Sequence, residues 1–151
     1  MRKFLSLGIS FLFLSAPAWA SDTANHTVTV TVSAVNEVAI TGGNVSLNIG
    51  STYAAADSTT AGLTWSTNES SKKITVASSL ATIVYPLVVS ATGVSGGTAA
   101  AAVTLTNVAQ DFVTGISLTD GTAGLSYSAT STAGDGTGVE AHTVTYTILA
   151  G

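Results

Sequence analysis

The chain contains no cysteine, which excludes a disulfide scaffold, a thiolate metal site, a cysteine nucleophile and a lipidated N-terminal cysteine. Charge is scarce too: Asp, Glu, Lys and Arg make up 8% of the 151 residues. Two of the four basic residues, Arg2 and Lys3, stand at the very start, which leaves Lys72 and Lys73 against eight carboxylates. Two cations cannot neutralise a run of phosphates, so no nucleic-acid partner and no hold on anionic lipid are expected. Proline occurs only twice. Beyond residue 20 no apolar run approaches the roughly 20 residues of a spanning helix, and none keeps a helical period.

What is present begins with a removable leader. Met1-Arg2-Lys3 is a short basic start, Phe4 to Leu14 is almost wholly apolar, and Ala18-Trp19-Ala20 fits the small-x-small cleavage rule. Residues 1–20 therefore read as a signal peptide, with Ser21 as the mature N-terminus. The product is expected to be secreted, soluble and without a membrane anchor of its own. The length that remains suits one domain.

Residues 21–151 hold 25 threonines and 16 serines, alongside many Val and Ile. Low charge alone would suggest disorder, but β-branched residues suit a pleated, half-buried surface, so the chain should fold as β. Period-2 alternation recurs along it. From His26 to Val35, Val28, Val30, Val32 and Ala34 share one face, with Thr27, Thr29, Thr31 and Ser33 on the other. Val38–Thr41 and Val45–Ile49 read as short strands. Tyr53–Ala61 reads as a loop with room for one helical turn. Leu63 and Trp65 share a face, Asn68–Ser71 is turn chemistry, and Lys73–Val76 returns as a hairpin partner. Ala81–Ala91 reads as a buried strand interrupted at Pro86, and Gly93–Gly97 as a loop. Ala101–Asn107, Phe112–Val113, Ile116–Leu118 and Leu125–Ala129 add short strands, and Ala133–Gly138 is a glycine turn. From His142 to Leu149, Val144, Tyr146 and Ile148 oppose Thr143, Thr145 and Thr147. Many short strands with glycine turns predict an all-β fold, an immunoglobulin-like antiparallel β-sandwich over residues 36–151.

Candidate chemistry yields to plainer readings. Gly93-Val94-Ser95-Gly96-Gly97 matches the nucleophile-elbow pattern, with Asp111 or Asp120 and then His142 following in hydrolase order. That elbow needs a strand-to-helix corner, and no α/β pattern exists here. His26 and His142 read as polar strand-end residues, since nothing has metal-ligand spacing. Asp135, Glu140 and Asp120 lack the ligand ladder of a calcium loop. Trp65, Tyr127 and Tyr146 lie on the apolar faces of their strands, so core packing outweighs a sugar-stacking surface shared with Tyr53 and Tyr85. The three N-glycan acceptor matches at Asn25, Asn44 and Asn68 are cheap in so hydroxylic a chain. An isopeptide bond from Lys72 or Lys73 to an Asn is not legible. No catalytic residue, cofactor or metal is expected.

The stretch from His26 to Val35 contains no Asp, Glu, Lys or Arg, no Pro and no Gly. Such a strand would recruit another chain if left on a sheet edge. It either completes its own sandwich or inserts into a neighbour, as in donor-strand complementation, and the sequence leaves both pairings open.

With its cleavable leader, the alternating strand after it, the central Thr67–Val76 segment and the closing Tyr127 and His142–Ile148 pattern, the chain resembles an exported bacterial fimbrial subunit. Within that class it is similar to the cysteine-free pilins of the alternate chaperone–usher type, though shorter and richer in Thr, Ala and Gly. The resemblance implies residues 21–35 as a donor strand whose Val28, Val30, Val32 and Ala34 fill an apolar groove of the next subunit. It implies identical subunits as partners in a homopolymer, and a periplasmic chaperone and an outer-membrane usher for assembly. The expected function is a non-enzymatic structural subunit of an extracellular filament or cell-surface appendage. The alternative is a monomeric binding module for sugar or protein, using loops 52–61 and 93–99. N-terminal sequencing of the exported protein should begin at Ser21; a product that begins at Met1 would refute the leader.

Overall fold

The structure, a computed structural model, describes residues 23–54 and 58–151. The leader and its cleavage site lie outside the described residues. The chain divides between Val32 and Ser33, and the sandwich belongs to the second part. Its nine strands are β1 (Asn36–Thr41), β2 (Ser58–Thr67), β3 (Lys72–Ser78), β4 (Leu87–Ser95), β5 (Thr98–Ala99), β6 (Val103–Thr104), β7 (Gln110–Ile116), β8 (Thr119–Ala129) and β9 (Val144–Ala150). They form two antiparallel sheets, one ordered β1-β2-β8-β4-β6 and the other β5-β7-β3-β9. The fold is all-β, two sheets packed as a sandwich, as the alternation predicts.

The inner faces follow the period of two. In β8, Gly121, Ala123, Leu125, Tyr127 and Ala129 point inward while Thr122, Ser126 and Ser128 face out. Ala61, Leu63 and Trp65 of β2 and Leu87 and Val89 of β4 join them. The opposite sheet supplies Ile74, Val76, Phe112, Val113, Ile116 and Tyr146. Each of the larger side chains contributes about 1.5–3 kcal/mol by leaving water. Phe112 and Val113 are neighbours in sequence yet both buried, because the pairing with β3 slips between Ile74↔Val113 and Thr75↔Asp111. The bulge gives up one ladder position and turns a second apolar side chain inward.

Several expectations are corrected. Residues 26–35 belong to no strand, and the first strand among the described residues begins at Asn36. Val45, Leu47 and Ile49 alternate in burial as a strand would, yet residues 43–48 belong to none. Residues 58–61 are the start of β2 rather than loop. β3 is not the hairpin partner of β2: β1 and β8 occupy both sides of β2, so the Asn68–Ser71 turn carries the chain across to the other sheet. Pro86 precedes β4 instead of interrupting a strand, which suits a residue with no N–H to donate. β4 runs on to Ser95, so 93–95 is strand and not loop.

Trp65 pairs across β2 and β8 with Gly121, and its indole covers the space where a side chain would stand. A Cβ on Gly121 would lie 2.1 Å from Trp65 Cε2, and the ring is buried and cannot swing out. Gly121→Ala should therefore destabilise the sandwich by about 1–3 kcal/mol, the range for overpacking a filled core. Thermal unfolding followed by Trp65 fluorescence measures it, and an unchanged midpoint would refute the packing.

Candidate assembly site

The residues singled out as a donor strand are the most exposed apolar residues but one in the described chain. Val28, Val30 and Val32 are 72%, 81% and 79% exposed. Ala34 is exposed as well. Three β-branched apolar side chains on one face of an alternating segment, all in water, form an unpartnered apolar row.

Within residues 33–151 the complementary feature is a cleft of about 1120 Å³. One wall is the 43–50 segment with its half-buried Val45, Leu47 and Ile49; the other is β9 with Val144 and Tyr146. The floor is Leu87, Tyr127 and the small Ala61 and Ala129, and residues 136–143 form the rim at one end. β9 is the last strand of its sheet: β3 takes one side of its backbone, and no described strand takes the other. The four sheet edges are managed differently. β5 and β6 are two residues each, and β1 carries the exposed Glu37. β9 offers seven residues, VTYTILA, with no charge and no proline, so it has none of the usual guards of an edge.

Two tyrosines tie the sheets together at the floor. The hydroxyls of Tyr127 and Tyr146 meet at 2.8 Å, and the Tyr146 ring leans on Phe112 with centroids 5.2 Å apart. Burial raises the phenol pKa of both above the ordinary value, and for Tyr146 the bond to Tyr127 raises it further.

A polar clamp holds the point where the N-terminal segment joins the sandwich. Asn68 Oδ1 accepts the Val35 N–H at 2.7 Å, and Asn68 Nδ2 donates to the Ser33 carbonyl at 2.7 Å. The Asn68 N–H donates to the Val35 carbonyl at 3.3 Å. Asn36 accepts from the Thr67 hydroxyl at 2.8 Å and donates to Glu69. The bond from Asn36, with the Lys72 ammonium 2.8 Å away, holds the Glu69 carboxyl below its usual pKa.

The other flagged residues fall elsewhere. The Ser95 hydroxyl meets that of Thr122, and the ring of His142 is held instead by Ser78, at 3.0 Å, and Glu140, at 2.9 Å. Sequence reasoning missed this trio, which joins positions 64 residues apart and has no local signature. Its serine–histidine–carboxylate order resembles a hydrolase relay. Ser78 is buried, its oxygen also accepts the Leu80 N–H, and the trio joins the groove rim at His142 to the end of β3. Asp135 turns to Thr132, Glu140 also accepts the Val84 N–H, and no group of three or more His, Asp or Glu that could hold a metal comes together among the described residues. Lys73 pairs with Asp111 at 3.0 Å. Of the two loops considered for a binding module, 93–99 is mostly β4 and β5.

Comparison with protein-family models, with curated proteins and with solved structures finds no match for this chain.

The tyrosine pair generates a test of the floor. Tyr146→Phe leaves the buried Tyr127 hydroxyl unpaired and should cost about 1–3 kcal/mol, whereas the double change Tyr127→Phe with Tyr146→Phe should recover most of it. Because the folded state raises both pKa values, their stabilisation is complete below the unfolded tyrosine pKa of about 10 and declines as pH rises beyond it. Denaturant unfolding from pH 7 to 11 checks both points; a double variant less stable than either single one, or as alkali-sensitive as the parent, would contradict the pairing.

Proposed function

We propose that this chain is a structural, non-catalytic subunit of an extracellular filament, an immunoglobulin-like sandwich that lacks one strand and receives it from the next copy. Residues 26–35 of one subunit lie along the outer edge of β9 in its neighbour, between β9 and the 43–50 segment. The observation that carries this is the coexistence, in one chain, of an exposed row of alternating valines and an unguarded sheet edge beside a cleft with an apolar floor. Val28 to Ala34 spans seven residues, the length of β9, or roughly 23 Å.

The energetics favour insertion. Each valine passes from nearly full exposure to burial, worth roughly 1.5–3 kcal/mol. The β9 backbone gains a ladder at about 0.5–1.5 kcal/mol net for each bond. A strand given to the next copy and a groove filled by the previous one make a heterologous contact, which propagates as an open polymer. The small Ala61 and Ala129 on the floor leave depth for the incoming side chains. Secretion, a homopolymeric partner and a place outside the cell follow from the same proposal.

Val30→Asp separates this function from a self-contained monomer. Val30 contributes nothing to the core of its own sandwich, so the variant should fold with unchanged stability. In a polymer it would bury an unpaired carboxylate at a cost of several kcal/mol. The full-length parent, refolded at high concentration and imaged by negative stain, should give filaments and a ladder of multimers; Val30→Asp should give monomers. A parent that stays a stable, protease-resistant monomer would overturn the proposal.

A further inference from the structure

Residues 26–32 could in principle fill the groove of their own subunit instead of a neighbour's, and polymerisation requires that they do not. We propose that Asn68 is the positioning residue that makes strand insertion intermolecular. This rests on the function proposed above and concerns how the site chooses between its own strand and that of a second copy.

The geometry is specific. β1 pairs with β2 from Thr41↔Gly62 to Asn36↔Thr67, and Asn68 is the next residue beyond that pairing. Through its own N–H and its side-chain amide it engages the Val35 carbonyl, the Val35 N–H and the Ser33 carbonyl. One residue thus does for 33–35 what a partner strand would do, and holds them as a continuation of β1. Asn36, bonded to Thr67 and Glu69, fastens the next position. The groove lies towards the other end of β9, where Val144 and Tyr146 pair with Ser78 and Val76. For 26–32 to lie in their own groove the chain would have to reverse at residues 33–35 and run back beside β1. Those are the residues whose backbone Asn68 holds. They read Ser33-Ala34-Val35, with no Gly, Asn, Asp or Pro to make a tight turn, and β-branched Val35 resists positive φ. Clamp and sequence act together against closure in cis, and the strand is left for another copy.

The test uses the full-length chain, refolded at low micromolar concentration and separated by size, with the monomer fraction then digested by a broad-specificity protease. In the parent, multimers should dominate and residues 26–32 of the remaining monomer should be cut quickly. Asn68→Ala should raise the monomer-to-multimer ratio about tenfold, the change expected when one or two net hydrogen bonds are lost. In that monomer residues 26–32 should resist the protease. Asn68→Asp, which still accepts from Val35 but cannot donate to Ser33, should fall between. A second route leaves the clamp residue intact: Ser33→Asn with Ala34→Gly installs a hairpin turn at two exposed positions and should also yield closed, protected monomers. If the parent polymerises and all these variants match it in ratio and in cleavage of 26–32, the role of Asn68 is refuted while the filament function stands. If the parent forms no multimers, both fall.

Discussion

The outer edge of β9 is the constraint on which the rest of this molecule turns. Backbone N–H and C=O groups demand partners, and a strand of seven residues with no described strand on one side carries a row of them next to a cleft with an apolar floor. The remaining edges are short or charged, so the exposure at β9 is local and uncompensated within residues 33–151. The half-buried 43–50 segment shows what a missing neighbour does. Its Val45 and Leu47 keep the side-chain alternation of a strand, but residues 43–48 belong to none of the described strands. On the function proposed here, one inserted strand would supply partners to both walls at once.

The unusual composition suits that architecture. Threonine and serine face outward along β8 and β9 and keep the surface polar with little charge, while alanine and glycine occupy many inward positions. A core of small residues stays thin, and a few large side chains must then span it. Trp65 over Gly121, Phe112 against Tyr146 and the Tyr127–Tyr146 bond do so. The glycine at 121 is a shape requirement of the indole rather than a flexible joint, and the tyrosine hydroxyls satisfy each other where no charge is available to do it.

Much of this was legible in the sequence because period-2 alternation reports which face of a strand is buried. It identified the inward faces of Leu63 and Trp65, of β8 from Leu125 on and of β9, together with the turn at Asn68–Ser71. It could not report which sheet a strand joins, since alternation describes a strand's faces and not its edges; hence β3 crosses to the opposite sheet instead of folding back on β2. Val45 and Leu47 show the converse case, where alternation records burial in a segment that belongs to no strand. The start of β2 at Ser58 is hidden among small, weakly patterned residues. The Asn68 clamp and the Ser78–His142–Glu140 trio depend on contacts between distant positions, and no spacing rule announces them. The same limit leaves the cis and trans pairing of residues 26–35 open in the sequence, and the exposure of Val28, Val30 and Val32 is compatible with either.

An interface of this kind has a physical consequence that separates it from most protein contacts. Neither Val28–Ala34 nor β9 carries a titratable side chain apart from Tyr146, whose phenol is held neutral by burial. Association through them would depend on apolar burial and backbone hydrogen bonds, which neither salt nor moderate acidity weakens much. Charged groups lie elsewhere: Lys73 pairs with Asp111 between β3 and β7, and Glu37 is exposed on β1. Glu69 with Lys72 sits at the root of the N-terminal segment, and Glu140 with His142 at the groove rim. Acidity would therefore act on Glu69 at the root of the strand rather than on the inserted strand itself. Since folding lowers the Glu69 pKa, its contribution is complete above the ordinary carboxylate pKa of 4.5 and fades as pH falls below it. A polymer so built would feel acidity at the Glu69 contact that holds the root of the strand, while the inserted strand, held by apolar burial and backbone hydrogen bonds, would not.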